Sequence, residues 1–279
     1  MPILLCFALL LAFTGPSFSE EQGPLRVKQG EILSFPFKSD ASMIAFRGIF
    51  LNESIPLIEQ SKGQYVALIG IDMACPVGLA SFEIIGNGEK VGFHQKYPIE
   101  VIPADFGIQK LTLPKGMVDL DPPTLARVED EKKRIKVIFQ ESLPKKMWED
   151  NFIVPVEGRR LGTFGFKRIM NGQIRNQHSG EDIGAPLGTP VWATNHGRIV
   201  LVGDFYFNGQ SVIIDHGFGL FTMYFHLLEI TVKEGEGVQR GTQIGSVGQS
   251  GRATGPHLHW GARLNGARIN PYSLISLTR

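Results

Sequence analysis

Ser211-Val212-Ile213-Ile214-Asp215-His216-Gly217-Phe218-Gly219-Leu220-Phe221-Thr222-Met223-Tyr224-Phe225-His226 holds two apolar runs around a glycine-bearing turn. Short runs rich in β-branched and aromatic residues, bounded by Gly and Asp, read as the two strands of a hairpin. The same signal recurs on both sides, in Pro190-Val191-Trp192-Ala193, in Gly197-Arg198-Ile199-Val200-Leu201-Val202 and in His257-Leu258-His259-Trp260-Gly261-Ala262. No long helical periodicity interrupts them, so residues 151–279 read as one antiparallel β domain. Further upstream, residues 20–105 also alternate short strand-like runs, among them Tyr65-Val66-Ala67-Leu68-Ile69 and Ala80-Ser81-Phe82-Glu83-Ile84-Ile85, with turn signals at Lys62-Gly63 and Asn87-Gly88. That spacing predicts a small immunoglobulin-like β-sandwich. Between the two lies a linker, residues 106–150. In it Asp121-Pro122-Pro123 supplies a capping carboxylate followed by proline in the first turn, which predicts a helix start. Leu125, Val128, Ile135, Ile138 and Phe139 then share one helical face, and Pro144 forbids its continuation. The fold class is mainly β, with one linker helix.

A hydrophobic fraction of 43% and a charged fraction of 20% exclude a disordered chain. A net charge of +1 speaks against a nucleic-acid partner. The C-terminal domain carries 12 Lys+Arg against 8 Asp+Glu, a mildly basic surface that tolerates an anionic polymer. Ile3 to Phe13 is an apolar run followed by small residues at Ser17 and Ser19. It reads as a signal peptide over residues 1–19, although no Lys or Arg precedes it. It falls short of the roughly 20 residues that span a bilayer, so the mature chain is expected to be exported without a membrane span, to the periplasm or cell envelope or beyond. Cys6 leaves with the signal, and the remaining Cys75 reads as a buried apolar residue.

Six of the 7 histidines fall between 178 and 259. Histidine and carboxylate are preferred zinc ligands, and a catalytic zinc takes three protein ligands and keeps one position open. His257 and His259 sit at i and i+2, so on a strand both point to one face, about 6.5 Å apart. That spacing lets one bind a metal while the other stands beside a coordinated water. His178 and Asp182 sit at i and i+4, but Gly180, Gly184 and Pro186 argue for a loop running into a strand. His226 ends a separate strand. His196 and His216 read as turn and hairpin residues, and His94 as a sandwich or surface residue. Trp260 alternates with His259 and should face the core. Asn171, Arg175 and Asn176 are equally groove-lining or ordinary loop residues.

These segments in this order resemble the lysostaphin/LytM-type zinc endopeptidases, which cleave peptide cross-links in bacterial cell walls. The resemblance spans residues 152 to 271. It includes Phe164-Gly165-Phe166, His178-Ser179-Gly180-Glu181-Asp182, Ile214-Asp215-His216-Gly217, Tyr224-Phe225-His226-Leu227, Gly248-Gln249-Ser250-Gly251 and Gly255-Pro256-His257-Leu258-His259. It implies a lysostaphin-like catalytic domain, one zinc per chain held by His178, Asp182 and His259, and a zinc-activated water attacking peptidoglycan peptides. His226 and His257 would stay uncoordinated and catalytic, with His257 favoured as general base and His226 as oxyanion stabiliser, the reverse remaining open. Similar proteins that have lost their ligands act as non-hydrolytic activators of other hydrolases, whereas here every position is filled. A lipoyl-type carrier, suggested by Gly235 to Gly245, lacks a hairpin lysine between Val238 and Gly255. By the same resemblance the N-terminal region is a candidate intramolecular inhibitor.

Overall fold

The computed structural model describes residues 23–39, 43–88 and 92–277; the expected signal peptide and Cys6 lie outside them. The N-terminal strands form two facing sheets. One has five strands in the order Leu25–Lys28, Gly92–Ile102, Gly78–Gly88, Met43–Phe50, Glu53–Ile55, and the other three, Ile32–Lys38, Gln64–Gly70, Leu57–Ser61. All these pairs are antiparallel except Leu25–Lys28 against Gly92–Ile102. The residues that point inward mix aliphatic and aromatic side chains, and the rings cluster: Phe35 packs on Tyr97 at 4.5 Å between ring centroids and on Phe82 at 5.3 Å. Cys75 is buried and free, as its apolar reading requires.

The helix runs Pro122–Ile138, and its Asp121 cap accepts from the Thr124 amide at 2.9 Å. Its apolar stripe does not cover the sandwich. Ile135, Ile138 and Phe139 pack on Leu201, Phe205, Ile213 and Phe221 of the C-terminal sheet, and Leu125 remains largely exposed. The residues before it are also tied to the C-terminal half, because strand Ile108–Leu111 pairs in parallel with Lys167–Met170.

The C-terminal sheet follows the order Arg159–Arg160, Gly180–Gly184, Leu258–Leu264, Leu220–Ile230, Gly209–Gly217, Gly197–Phe205, Gly237–Val238. Every pair along it is antiparallel. Strand Gln243–Val247 pairs with Leu220–Ile230 and with Pro190–Trp192, closing the far side. Register fixes the faces. Asp182 stands opposite His259, which stands opposite Phe225; one residue along, Glu181, Trp260 and Tyr224 form the next row. Side chains alternate across a strand, so the first row faces outward while Trp260 enters the core, where it is fully buried. Truncating a buried tryptophan costs ~3–5 kcal/mol. A short helix, Tyr272–Ile275, closes the chain; four residues are too few to leave a periodic signal in sequence.

The two halves share a third core. Ile58 and Leu68 of the sandwich pack with Leu220, Leu264, Ile269 and Leu274. A bidentate Asp72–Arg268 pair, 2.7 and 2.9 Å, sits at its edge. Burial opposes the charge of Asp72, and the Arg268 bonds outweigh it and lower its pKa.

Candidate metal centre and groove

His178 and Asp182 are brought together by a loop that becomes a strand. Gly180 begins that strand because nothing larger fits: a Cβ there would lie 2.4 Å from His259 Nε2. His259 stacks on Phe225, 5.3 Å between ring centroids at 7°, which holds its Nδ1 toward Asp182. The result is a convergence of three buried ligand atoms. His178 Nε2 lies 2.8 Å from His259 Nδ1 and 3.2 Å from Asp182 Oδ1, and His259 Nδ1 lies 3.0 Å from Asp182 Oδ1.

The tautomer of His178 is set behind the site. Its Nδ1–H donates to the Thr163 carbonyl at 3.1 Å, leaving Nε2 as a lone pair aimed inward. The Thr163 hydroxyl accepts from the Asp182 amide at 3.0 Å, and the Thr163 amide donates to Glu181 at 2.6 Å. One threonine therefore braces both residues. The sequence offered no partner for His178; the only hint is that Thr163 abuts Phe164-Gly165-Phe166 of the recognisable pattern.

Burial pushes His259 down to about 4 and lowers His178 as well. Near neutral pH this leaves two neutral imidazoles and one carboxylate facing a common point. Buried lone pairs that face one another repel unless a cation lies between them. The set of two nitrogens and one oxygen matches the donors zinc prefers, and all three atoms lie within 4.8 Å of one another. The residues fit the ion.

Two more histidines stand beside this cluster without joining it. His257 Nδ1–H donates to the Gly255 carbonyl at 2.8 Å, and its Nε2 is 3.7 Å from Asp182 Oδ1. It sits just ahead of strand Leu258–Leu264, in an isolated bridge to Gly248. The strand geometry expected for residues 257 and 259 thus holds for their common face, although His257 lies outside the continuous ladder. His226 takes a left-handed backbone, φ +62°. That costs about 1–2 kcal/mol for an L-residue. Its amide donates to the Asn208 carbonyl and its Nδ1–H to the Ser250 carbonyl, each at 2.8 Å. Burial and the neighbouring His259 and His257 push its pKa to about 3. The His226 and His257 rings face each other, 4.8 Å between centroids.

The cluster opens into a cavity of about 910 Å³ lined by His178, His226 and His259 on one side and by Val118, Leu125, Glu131 and Ile135 on another. Arg175 and Asn176 line it, while Asn171 instead bonds Leu113 at a turn. The other histidines are elsewhere. His216 is buried in a hydrogen-bonded hairpin, His196 bonds Asn195 in a turn, and His94 pairs with Glu83 on the sandwich surface.

With this geometry, residues 176–271 match the sequence pattern of peptidase family M23. That stretch is an M23 peptidase domain. Among curated relatives, the peptidoglycan DD-endopeptidase ShyC of Vibrio cholerae is 42% identical over 120 residues, 42% of this chain and 28% of the relative. The DD-carboxypeptidase/endopeptidase Mpg of Neisseria meningitidis is 46% identical over 123 residues, 44% of this chain and 28% of the relative. This chain therefore spans under a third of the length of either relative. A solved structure from Pseudomonas aeruginosa, described as a candidate peptidase M23, aligns over 91% of this chain and 96% of its own with a TM-score of 0.70 and 27% identity. The likeness thus extends through the N-terminal strands as well as the M23 domain. Among the described residues, no helix is long and apolar enough to cross a membrane.

Proposed function

We propose that this chain is an exported zinc metalloendopeptidase that hydrolyses peptide cross-links of peptidoglycan. The observation that carries the reading is the convergence of His178, Asp182 and His259 with two uncoordinated histidines at its edge. His178 through Nε2, Asp182 through its carboxylate and His259 through Nδ1 would hold one zinc per chain. Bound there, zinc supplies Lewis acidity toward the scissile carbonyl and makes a water acidic enough to ionise near pH 7. His257, with Nδ1–H committed to Gly255 and Nε2 turned inward, takes the nucleophile's proton. His226, fixed by Ser250 and Asn208, is the oxyanion stabiliser; donating through Nε2 requires that the Nε2–H tautomer or the imidazolium replace the form that gives Nδ1–H to Ser250. A donor aimed at charge that appears only in the transition state lowers the barrier without tightening substrate binding. The relatives' named activities support peptidoglycan peptides as the substrate class.

Residues 1–19 serve as the signal peptide, 20–105 as the accessory sandwich, 106–150 as the linker and 151–279 as the endopeptidase domain. The cavity lining begins at Val118, so any restraint within the chain acts through the linker and its helix rather than through the sandwich. The test is metal content measured beside mass spectrometry of cross-linked muropeptides digested by the full chain. Stoichiometric zinc with cleaved cross-links supports the reading; stoichiometric zinc with intact cross-links at every pH from 6 to 9 rejects it.

A further inference from the structure

Three consecutive carbonyls of the linker, just before its helix, are each held by a side chain of the C-terminal half, and two of these, Arg175 and Arg252, line the cavity. Tyr206 Oη donates to Gly116 O at 3.0 Å, Arg252 Nη1 to Met117 O at 3.2 Å, and Arg175 Nη2 to Val118 O at 2.9 Å. The three donors come from three separate loops. Each loop also positions a site histidine. Arg175 stands three residues before His178. Tyr206 precedes Asn208, whose carbonyl takes the His226 amide, and Arg252 follows Ser250, whose carbonyl takes His226 Nδ1–H.

The donors are built in place. The Arg252 guanidinium lies 4.0 Å over the Phe207 ring, a stacked geometry that lysine does not reproduce. Arg175 has a second bond to Gln173 at 2.5 Å, and its Nε is buried with no partner among the described residues. The linker also brings its own acid: Asp119 Oδ1 lies 3.8 Å from Arg175. Glu131 of the helix accepts from the Tyr206 amide at 3.0 Å and anchors the linker beside the groove.

Val118 and Leu120 line the same cavity as His259, so a peptide bound along Arg175 and Arg252 toward the metal centre would take the linker's place. Once it leaves, the groove presents two guanidinium groups and a phenol, all donors, with the linker's Asp119 gone. Such a set matches the successive carbonyl and carboxylate oxygens of an extended peptide. We infer that Arg175, Arg252 and Tyr206 are the residues that grip the substrate peptide, and that linker residues 116–118 occupy their donors as an internal stand-in for it. The inference rests on the endopeptidase reading for the identity of the peptide. It goes further in naming the binding residues.

The experiment must separate gripping substrate from merely anchoring the linker. Glu131→Ala loosens the linker and leaves Arg175 and Arg252 untouched; of the three donor residues it loses a bond only to the Tyr206 amide. Steady-state hydrolysis of a soluble cross-linked muropeptide dimer is measured for the zinc-loaded full chain, for Glu131→Ala, and for Glu131→Ala combined with Arg175→Gln, Arg252→Gln or Arg252→Lys. Glu131→Ala should raise kcat/KM at least threefold. Adding Arg175→Gln or Arg252→Gln should then raise KM by at least tenfold with kcat within threefold, and Arg252→Lys should recover only part of the loss. Arginine variants with unchanged KM, or with a further rise in activity like that of Glu131→Ala, overturn the inference. Calorimetric titration of the same muropeptide into the same proteins without turnover reads it independently. Tenfold weaker binding in the arginine variants, with no hydrolysis by any protein, leaves the grip standing and removes the endopeptidase reading. Equal binding by all, or binding by none, overturns the grip itself.

Discussion

Two histidine clusters are buried in the same C-terminal sheet, and they differ in one respect. At His216 both ring nitrogens have a complementary partner. Its Nδ1–H donates to the His196 carbonyl at 2.6 Å, and its Nε2 accepts from Thr222 at 2.8 Å. Thr222 accepts in turn from Tyr224 at 2.9 Å, and the Tyr224 oxygen accepts from the Thr194 amide at 3.0 Å. The chain of donors and acceptors closes with His216 neutral. At His178, Asp182 and His259 the atoms instead converge on one another, with lone pairs facing lone pairs. A buried polar network that is complete stabilises a fold. One that is incomplete in a single shared direction is a receptor for a cation.

The comparison breaks most visibly at His259. Replacing it by alanine removes one of three ligands, and zinc and hydrolysis should fall together, with the rate down at least ~10³-fold. Metal analysis beside a cleavage assay checks this. Zinc retained at one per chain would place the ligand elsewhere.

His257→Ala sharpens the boundary between ligand and neighbour. Zinc should stay near one per chain while hydrolysis drops ~10²–10⁴-fold, the span of a lost general base. If zinc is lost as well, His257 belongs to the ligand set.

Thr163→Ala probes the bracing behind the cluster. It removes the hydroxyl that accepts from the Asp182 amide while leaving the carbonyl that orients His178. Zinc affinity should weaken ~10-fold, at the low end for an outer-shell change. Competition with a chelator gives the number, and an unchanged affinity would restrict the bracing role to the Thr163 main chain.

The completed network should show its effect in folding stability rather than in catalysis. Burial holds His216 down to about 4, against an ordinary 6.5. As pH falls, the unfolded chain takes up this proton first, so folding loses stability. The contribution is full above pH 6.5 and drains as the pH drops toward 4, amounting to at most about 3 kcal/mol. Urea unfolding of the metal-free protein at pH 7 and pH 4.5, with His216→Gln alongside, should show a steeper loss in the wild type. Parallel losses would mean that His216 titrates as it would in water.

The sequence carried a large part of this. Alternating apolar runs with glycine turns named the strands, because a half-buried sheet imposes a period of two on its residues. Asp121-Pro122-Pro123 named the helix start, since capping is local chemistry. The five site positions were proposed from the resemblance of their segments to zinc endopeptidases, with the dense histidines and the i, i+2 pair His257 and His259 as the only direct signal. Trp260 could be sent to the core from its alternation with His259 alone.

What the sequence could not supply is whatever depends on partners far apart in the chain. The register that sets His259 opposite both Asp182 and Phe225 is a pairing between positions 77 and 34 residues apart (259−182 and 259−225). The Thr163 carbonyl behind His178 is main chain, which has no residue-type signature. Phe225 under His259, and the clash that makes Gly180 obligatory, exist only once two strands lie side by side. The linker's course along the groove depends on whether its helix stripe meets the sandwich or the C-terminal sheet, and both present apolar surface. Local propensity and ligand chemistry act within a few residues and are legible in order along the chain. Register, tautomer and occlusion are set by distances between segments, and only the folded chain fixes those.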